Sequence, residues 1–250
     1  MSLRDAYADL VLGSSCLGCG VPGRMLCAAC RGMLPDSARE VRPVPCPPGL
    51  APSTAAAAYD GLVKEMVIGL KERQLLALAR PLGDLLALAV ARHVDALPPA
   101  AVVLVPVPSR AASVRSRGLD STRALASRAA VSLRATGASR GADVTVAALL
   151  RTRPGLQDQA GLDAMQRAAN LAGALTCPAP ALRRLARRHR EAVVIVCDDV
   201  ITTGATAREA QRALAVAGLP IAGIAAVAAT ERRRHLDTRR VCLSFTDVAH

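Results

Sequence analysis

The chain has 250 residues, 52% of them apolar, enough for one globular domain of ordinary size and a small appendage. It has no tryptophan, and Phe245, Tyr7 and Tyr59 are its only other large aromatics, which removes the stacking platform of a dedicated single-strand nucleic-acid binder. The formal charge of +12 is nearly all arginine, since Lys64 and Lys71 are the only lysines; it favours anionic partners, although Arg- and Ala-rich coding from a GC-rich genome gives the same surplus.

Met1–Leu12 carries Arg4, Asp5 and Asp9 where a secretory signal would need an apolar stretch, so a cytoplasmic protein is expected. Four cysteines follow as C-x2-C-x7-C-x2-C: Cys16, Cys19, Cys27 and Cys30. Two thiolate pairs, each gripping from a tight turn, make the closed tetrahedral shell that structural Zn²⁺ prefers. Gly18 and Gly20 flank Cys19 where such a turn needs permissive backbone. The alternative, two disulfides, is disfavoured in a reducing compartment. Cys46, Cys177, Cys197 and Cys242 have no partner at metal spacing and read as small buried residues.

The Pro-rich stretch Arg42–Pro52 cannot be helix or central strand and reads as a linker. Leu62, Met66, Leu70, Leu75, Leu78, Leu82, Leu85 and Leu86 then recur at helical spacing, with Pro81 separating or kinking two helices. Beyond residue 100, short apolar runs alternate with helical segments. Strands are expected at Val102–Val107, Val144–Leu150, Val193–Cys197, Ile221–Val227 and Val241–Phe245, with helices at Thr122–Arg134 and Arg208–Ala217. That alternation predicts an α/β fold with a parallel sheet. The longest uncharged run, Ala213–Thr230, contains Gly218, Pro220 and Gly223 and is not a membrane span. The expected division is residues 1–45 as a cysteine module, 46–98 as linker and helical hood, and 99–250 as the main domain.

The segment V-V-I-V-C-D-D-V-I-T-T-G-A-T, residues 193–206, carries the most chemistry. An apolar strand runs into Asp198 and Asp199, which would emerge beyond its carboxyl end, where open parallel sheets bind ligands. Ionised carboxylates accept hydrogen bonds, so the pair can take the two hydroxyls of a ribose. Thr202, Thr203, Gly204, Ala205 and Thr206 would supply hydroxyls and backbone N–H groups at a helix N-terminus, a setting suited to phosphate. Gly204 would allow close backbone approach. The histidines His93, His189, His235 and His250 stand in basic or terminal contexts and are expected to face solvent.

This motif resembles the signature of type I phosphoribosyltransferases. The whole chain looks like the ComF family, which joins a four-cysteine zinc module to a phosphoribosyltransferase domain. Three further segments carry the likeness. Val102–Pro108 resembles the family's strand into its pyrophosphate loop, with Ser109 next and an Arg-Gly element at Arg115, Arg117 and Gly118. Leu150–Gly173 resembles its mobile segment, with Arg151, Arg153, Gln159, Arg167 and Asn170. Lys64 and Lys71 stand where the family has basic residues in its first helices. The chain departs from the family at Leu119, Asp120 and Ser121, where Phe-Asn-Gln is usual, which puts in doubt any contact made by that Asn and Gln.

The resemblance implies binding of phosphoribosyl pyrophosphate with Mg²⁺, and substitution at the anomeric carbon with loss of pyrophosphate. Asp198 and Asp199 are then the candidate catalytic pair. Two function classes stay open. One is a phosphoribosyl-transferring or -hydrolysing enzyme of unknown acceptor. The other is a binder that works with DNA or DNA-uptake machinery, for which the basic runs 183–190 and 232–240 could meet phosphates, a solvated helix face being their plainer reading.

Overall fold

The computed structural model describes residues 15–96, 101–109, 120–153, 173–189 and 191–230. A six-stranded sheet runs through the chain. Its members are β1 (Arg39–Glu40), β2 (Ser53–Ala58), β3 (Ala101–Pro106), β4 (Val144–Val146), β7 (Ala192–Ile201) and β8 (Gly223–Ala229). Side by side they lie in the order β1-β2-β8-β7-β3-β4. All neighbours pair in parallel except β1, which lies antiparallel on β2. A small antiparallel pair, β5 (Arg151–Thr152) and β6 (Leu175–Thr176), stands apart. The helices are α1 (Ala28–Gly32), α2 (Gly61–Glu72), α3 (Ala79–Val94), α4 (Ser121–Ala135), α5 (Ala179–Arg188) and α6 (Ala205–Val216).

Helices cover both faces of the sheet, which is why its strands read as unbroken apolar runs. On one face α2, α3 and α4 bury Met66, Leu82, Leu86 and Leu125 against Leu104, Ile195 and Cys197. On the other, α6 sets Ala210 and Leu214 against Val103, Val105, Val194 and Val196. Small residues let these layers close. A Cβ on Gly83 of α3 would stand 2.4 Å from Arg128 Cβ on α4, so the two helices touch through that glycine. Among the described residues no helix is long and apolar enough to cross a membrane.

Several expectations change at this level. Across the boundary expected at residue 98, β2 hydrogen-bonds β8 and α3 packs over both. The strand expected to reach Leu150 ends at Val146. Pro81 neither separates nor kinks a helix pair: it lies in the first turn of α3, and the break is at residues 73–78, where proline's missing donor costs nothing at a helix start. His93 is buried, not solvent-facing. Its Nε2 is 3.0 Å from the carbonyl of Ile224 and 3.0 Å from Thr54 Oγ1. A carbonyl only accepts, so Nε2 carries the proton; the Thr54 hydroxyl passes its own hydrogen to Ala89 O. The ring takes the space above Gly223, where a Cβ would come within 2.2 Å of it. His189 is half-buried near Thr145. Cys197 is fully buried, whereas Cys46 and Cys177 are only half-buried. The strand expected at Val241–Phe245, Cys242, His235 and His250 lie outside the described residues.

Candidate functional site

Two crossovers define the site. From β3 the chain leaves through α4 to β4, and from β7 it leaves through α6 to β8 on the opposite side. β3 and β7 are neighbours, so the crossovers diverge between them and open the crevice at which α/β sheets bind ligands. β3 ends at Pro106 opposite Cys197, and its last ladder contact is Val107 N–H to Cys197 O at 2.9 Å. Among the described residues β7 continues to Ile201 paired only with β8. Asp198 and Asp199 therefore lie within the strand rather than after it, but beyond the end of their neighbour β3, on an edge that no described strand covers.

Asp199 is buried and ion-paired with Lys71 Nζ from the last turn of α2. Asp198 Oδ1 accepts from Asp199 N–H at 2.9 Å. Burial and the adjoining Asp199 charge push the Asp198 carboxyl up to about 8, with Lys71 acting in the opposite direction. Asp198 is thus held well above the usual carboxylate range, and Lys71 Nζ pairs with its neighbour Asp199.

Thr202, Thr203 and Gly204 form the turn into α6. Gly204 is the N-cap at φ +69°, in the left-handed region that glycine enters without strain. No side chain caps α6; Thr203 Oγ1 only reaches Ala205 N–H at 3.5 Å. Among the described residues the Thr206 N–H of the first turn is taken by no capping side chain. By contrast the α4 terminus is closed, since Asp120 accepts from Arg123 N–H at 3.1 Å and from Ser109 Oγ at 3.1 Å.

The Pro-rich stretch is not a free linker. Pro43, Pro47 and Leu50 fill the space beside Gly204, where a Cβ would stand 2.8, 3.3 and 3.1 Å from them. Gln211 of α6 donates to Gly49 O and accepts from Ala51 N–H, each at 2.9 Å, and Arg208 Nε donates to Pro48 O at 3.1 Å. The expectation that Gly204 keeps backbone clear for a ligand is met on this flank by protein instead. Proline-rich backbone has few donors to satisfy, so its free carbonyls can take side chains of a neighbouring helix.

Among the other expected residues, Pro108 and Ser109 follow β3, with Ser109 on Asp120. Arg151 is exposed and bonds the carbonyls of Ala148 and Leu150. Arg153 is exposed beside β6, its N–H on Ala174 O at 2.9 Å. Lys64 is exposed on α2. Arg115, Arg117, Gly118, Leu119, Gln159, Arg167 and Asn170 lie outside the described residues. The sequence reading did not pair Lys71 with Asp199 or give Gln211 a role; no spacing rule links positions so far apart.

The four cysteines converge at the other end of the chain. All are free thiols, and their sulfurs lie within 4.8 Å of one another. Cys27 N–H points at Cys16 Sγ and Cys30 N–H at Cys27 Sγ, each at 3.4 Å. Burial raises the Cys16 thiol, but N–H groups of Cys27, Cys19 and Gly18 outweigh it and hold it at about 6. The neighbouring sulfurs push Cys30 up to about 12. Four sulfurs this close cannot all ionise unless a cation sits among them, so the cluster is suited to a metal ion. Gly18 is needed there, because a Cβ would stand 2.7 Å from Cys30 Sγ.

No protein-family model matches the chain, and no curated protein matches it.

Proposed function

We propose that the chain is a phosphoribosyltransferase-like protein of ComF type that binds phosphoribosyl pyrophosphate or a related ribose phosphate at the β3–β7 crevice. One observation carries this reading: a single strand-to-helix turn presents an acid pair, two threonines, a left-handed glycine and a helix start with no capping side chain. The divergent crossovers on either side support a type I phosphoribosyltransferase fold. In this reading the 5′-phosphate sits on Thr202–Thr206 and the ribose hydroxyls on Asp198 and Asp199. Pyrophosphate leaves the anomeric carbon and a nucleophile enters, with Asp199 easing the positive charge that grows on the sugar ring. Mg²⁺ bound with phosphoribosyl pyrophosphate would supply charge neutralisation at the leaving group. The resemblance assigns the pyrophosphate side to Pro108, Ser109, Arg151 and Arg153, together with Arg115, Arg117 and Arg167 outside the described residues.

The metal of the cysteine cluster is structural Zn²⁺. Tetrahedral zinc–sulfur bonds set sulfurs about 3.8 Å apart, and Cys19 and Cys27 are at 3.6 Å. Four thiolates leave no open position for catalysis, and free thiols fit a reducing cytoplasm.

Calorimetric titration with ribose 5-phosphate, phosphoribosyl pyrophosphate with Mg²⁺, and inorganic phosphate tests the site. Ribose 5-phosphate affinity should rise as pH climbs through about 8, because the ionised Asp198 is the stronger acceptor for the sugar hydroxyls. Asp198→Asn should remove that rise and leave inorganic phosphate binding unchanged. A wild-type chain that binds neither sugar phosphate would end the proposal.

A second reading, a non-catalytic ComF-type protein of DNA uptake, draws on α5. Arg183, Arg184, Arg187 and Arg188 are exposed there and only Leu185 is buried. Pyrophosphate release with a panel of acceptors separates the two readings. Any DNA binding should be non-specific and fall steeply with salt.

A further inference from the structure

From the packing on Gly204 we infer that residues 43–50 are the outer wall of the phosphate turn, and that Gln211 is the positioning residue that holds this wall in place. The inference rests on the turn being a phosphate site, and it adds a residue that neither the motif nor its spacing reveals.

Gly204 lacks the side chain that would fix its own conformation. A glycine at φ +69° is permitted many conformations, so something outside it must select this one. The ring of Pro43, the ring of Pro47 and the side chain of Leu50 press on the face where a Cβ would be. Pro43 is buried there although its neighbours Arg42 and Val44 are exposed. These three contacts form a rigid apolar surface, since proline rings carry almost no conformational freedom to lose. They leave Gly204 little room to swing towards the strap, and they exclude water from that flank of the turn.

The wall needs an anchor, because a Pro-rich strand has little hydrogen bonding of its own. Gln211 supplies it from the second turn of α6, the helix that begins at Gly204. Its amide is used at both ends, donating to Gly49 O and accepting from Ala51 N–H. Arg208, one turn earlier, adds a third bond to Pro48 O. Strap and turn are thus fastened to the same short length of helix, and their relative position is fixed within one turn of α6. Among the described residues Gln211 has no hydrogen bond to the acids or the threonines, so it acts through the strap.

Gln211→Leu tests this in the full-length chain, keeping the volume and removing both hydrogen bonds. Amide exchange at 46–51 should rise about tenfold. Exchange at Thr203–Ala207 should rise with it. Affinities for ribose 5-phosphate and for inorganic phosphate should both fall about fivefold, the scale of one lost hydrogen bond. A common factor for the two ligands marks the phosphate turn, whereas Asp198→Asn affects the sugar alone. Gln211→Glu keeps the acceptor for Ala51 N–H and loses the donor to Gly49 O, so it should fall between. If the strap stays protected in Gln211→Leu, the double variant with Arg208→Ala is measured, and protection there too overturns the assignment of the anchor. A released strap with unchanged exchange at Thr203–Ala207 overturns the wall. A wild-type chain that binds neither ligand overturns the phosphate reading instead, and the exchange data still decide whether the strap orders the turn.

Discussion

The cysteine cluster and the β7–α6 turn hold polar groups in place by opposite means. At the cluster, a five-residue helix and a few backbone bonds gather four sulfurs that repel one another once ionised; with the proposed ion, order there depends on something the chain must acquire. At the turn, the acids are carried on a ten-residue strand, the threonines lead into a twelve-residue helix, and a proline strap closes the side. Order there is intrinsic to packing. The first should therefore fail when its ion is removed, and the second only when a side chain intrudes.

The largest effect is expected from Cys16→Ser. A structural zinc contributes on the order of 10–16 kcal/mol of apparent binding energy in isolated fingers, and one missing thiolate opens the shell. Elemental analysis should find the metal lost, with amide exchange rising first over residues 15–38. A variant that keeps one metal per chain would break the contrast.

Gly204→Val comes next. Valine at a left-handed φ costs about 1–3 kcal/mol in strain, and its Cβ would meet Pro43 Cγ at 2.8 Å, adding about 1–3 kcal/mol of overpacking. Thermal unfolding should show the sum, and Gly204→Ala should show it without the extra methyls. Metal content should stay at the wild-type value in both, which sharpens the separation of the two regions.

The smallest effect belongs to His93, which stabilises the sheet beneath the turn. Burial holds its pKa below the ordinary 6.5, so the unfolded chain binds the proton more readily. Stability from this group is whole above about 6.5 and declines as pH falls through the lowered value. Urea unfolding at pH 7.5 and 5.5 should show this loss in the wild type, and a smaller one in His93→Gln.

The sequence made β3, β7, α4 and α6 legible because their apolar runs are local signals, and it made the acids, threonines and cysteines legible because each set is contiguous or closely spaced. β2 was not legible: Ser53–Ala58 is mostly alanine, a poor strand former, and it is a strand only because β8 and α3 bury it. His93 was misjudged for a related reason. Its neighbour Arg92 is exposed, and the carbonyl that receives its proton is on β8. The strap was read as a linker because proline composition reports what backbone cannot form, not what its rings can press against.

The pairing of β2 with β8 also sets a timetable. The partner of Ser53–Ala58 is Gly223–Ala229, so during synthesis the early strand waits for almost the whole chain to leave the ribosome, on the order of ten seconds at usual translation rates. Until then its inner edge has no permanent neighbour, and only the two-residue β1 guards the outer one. A nascent chain of this protein should be most prone to wrong partners in that interval, and slowest to mature at the seam between β2 and β8.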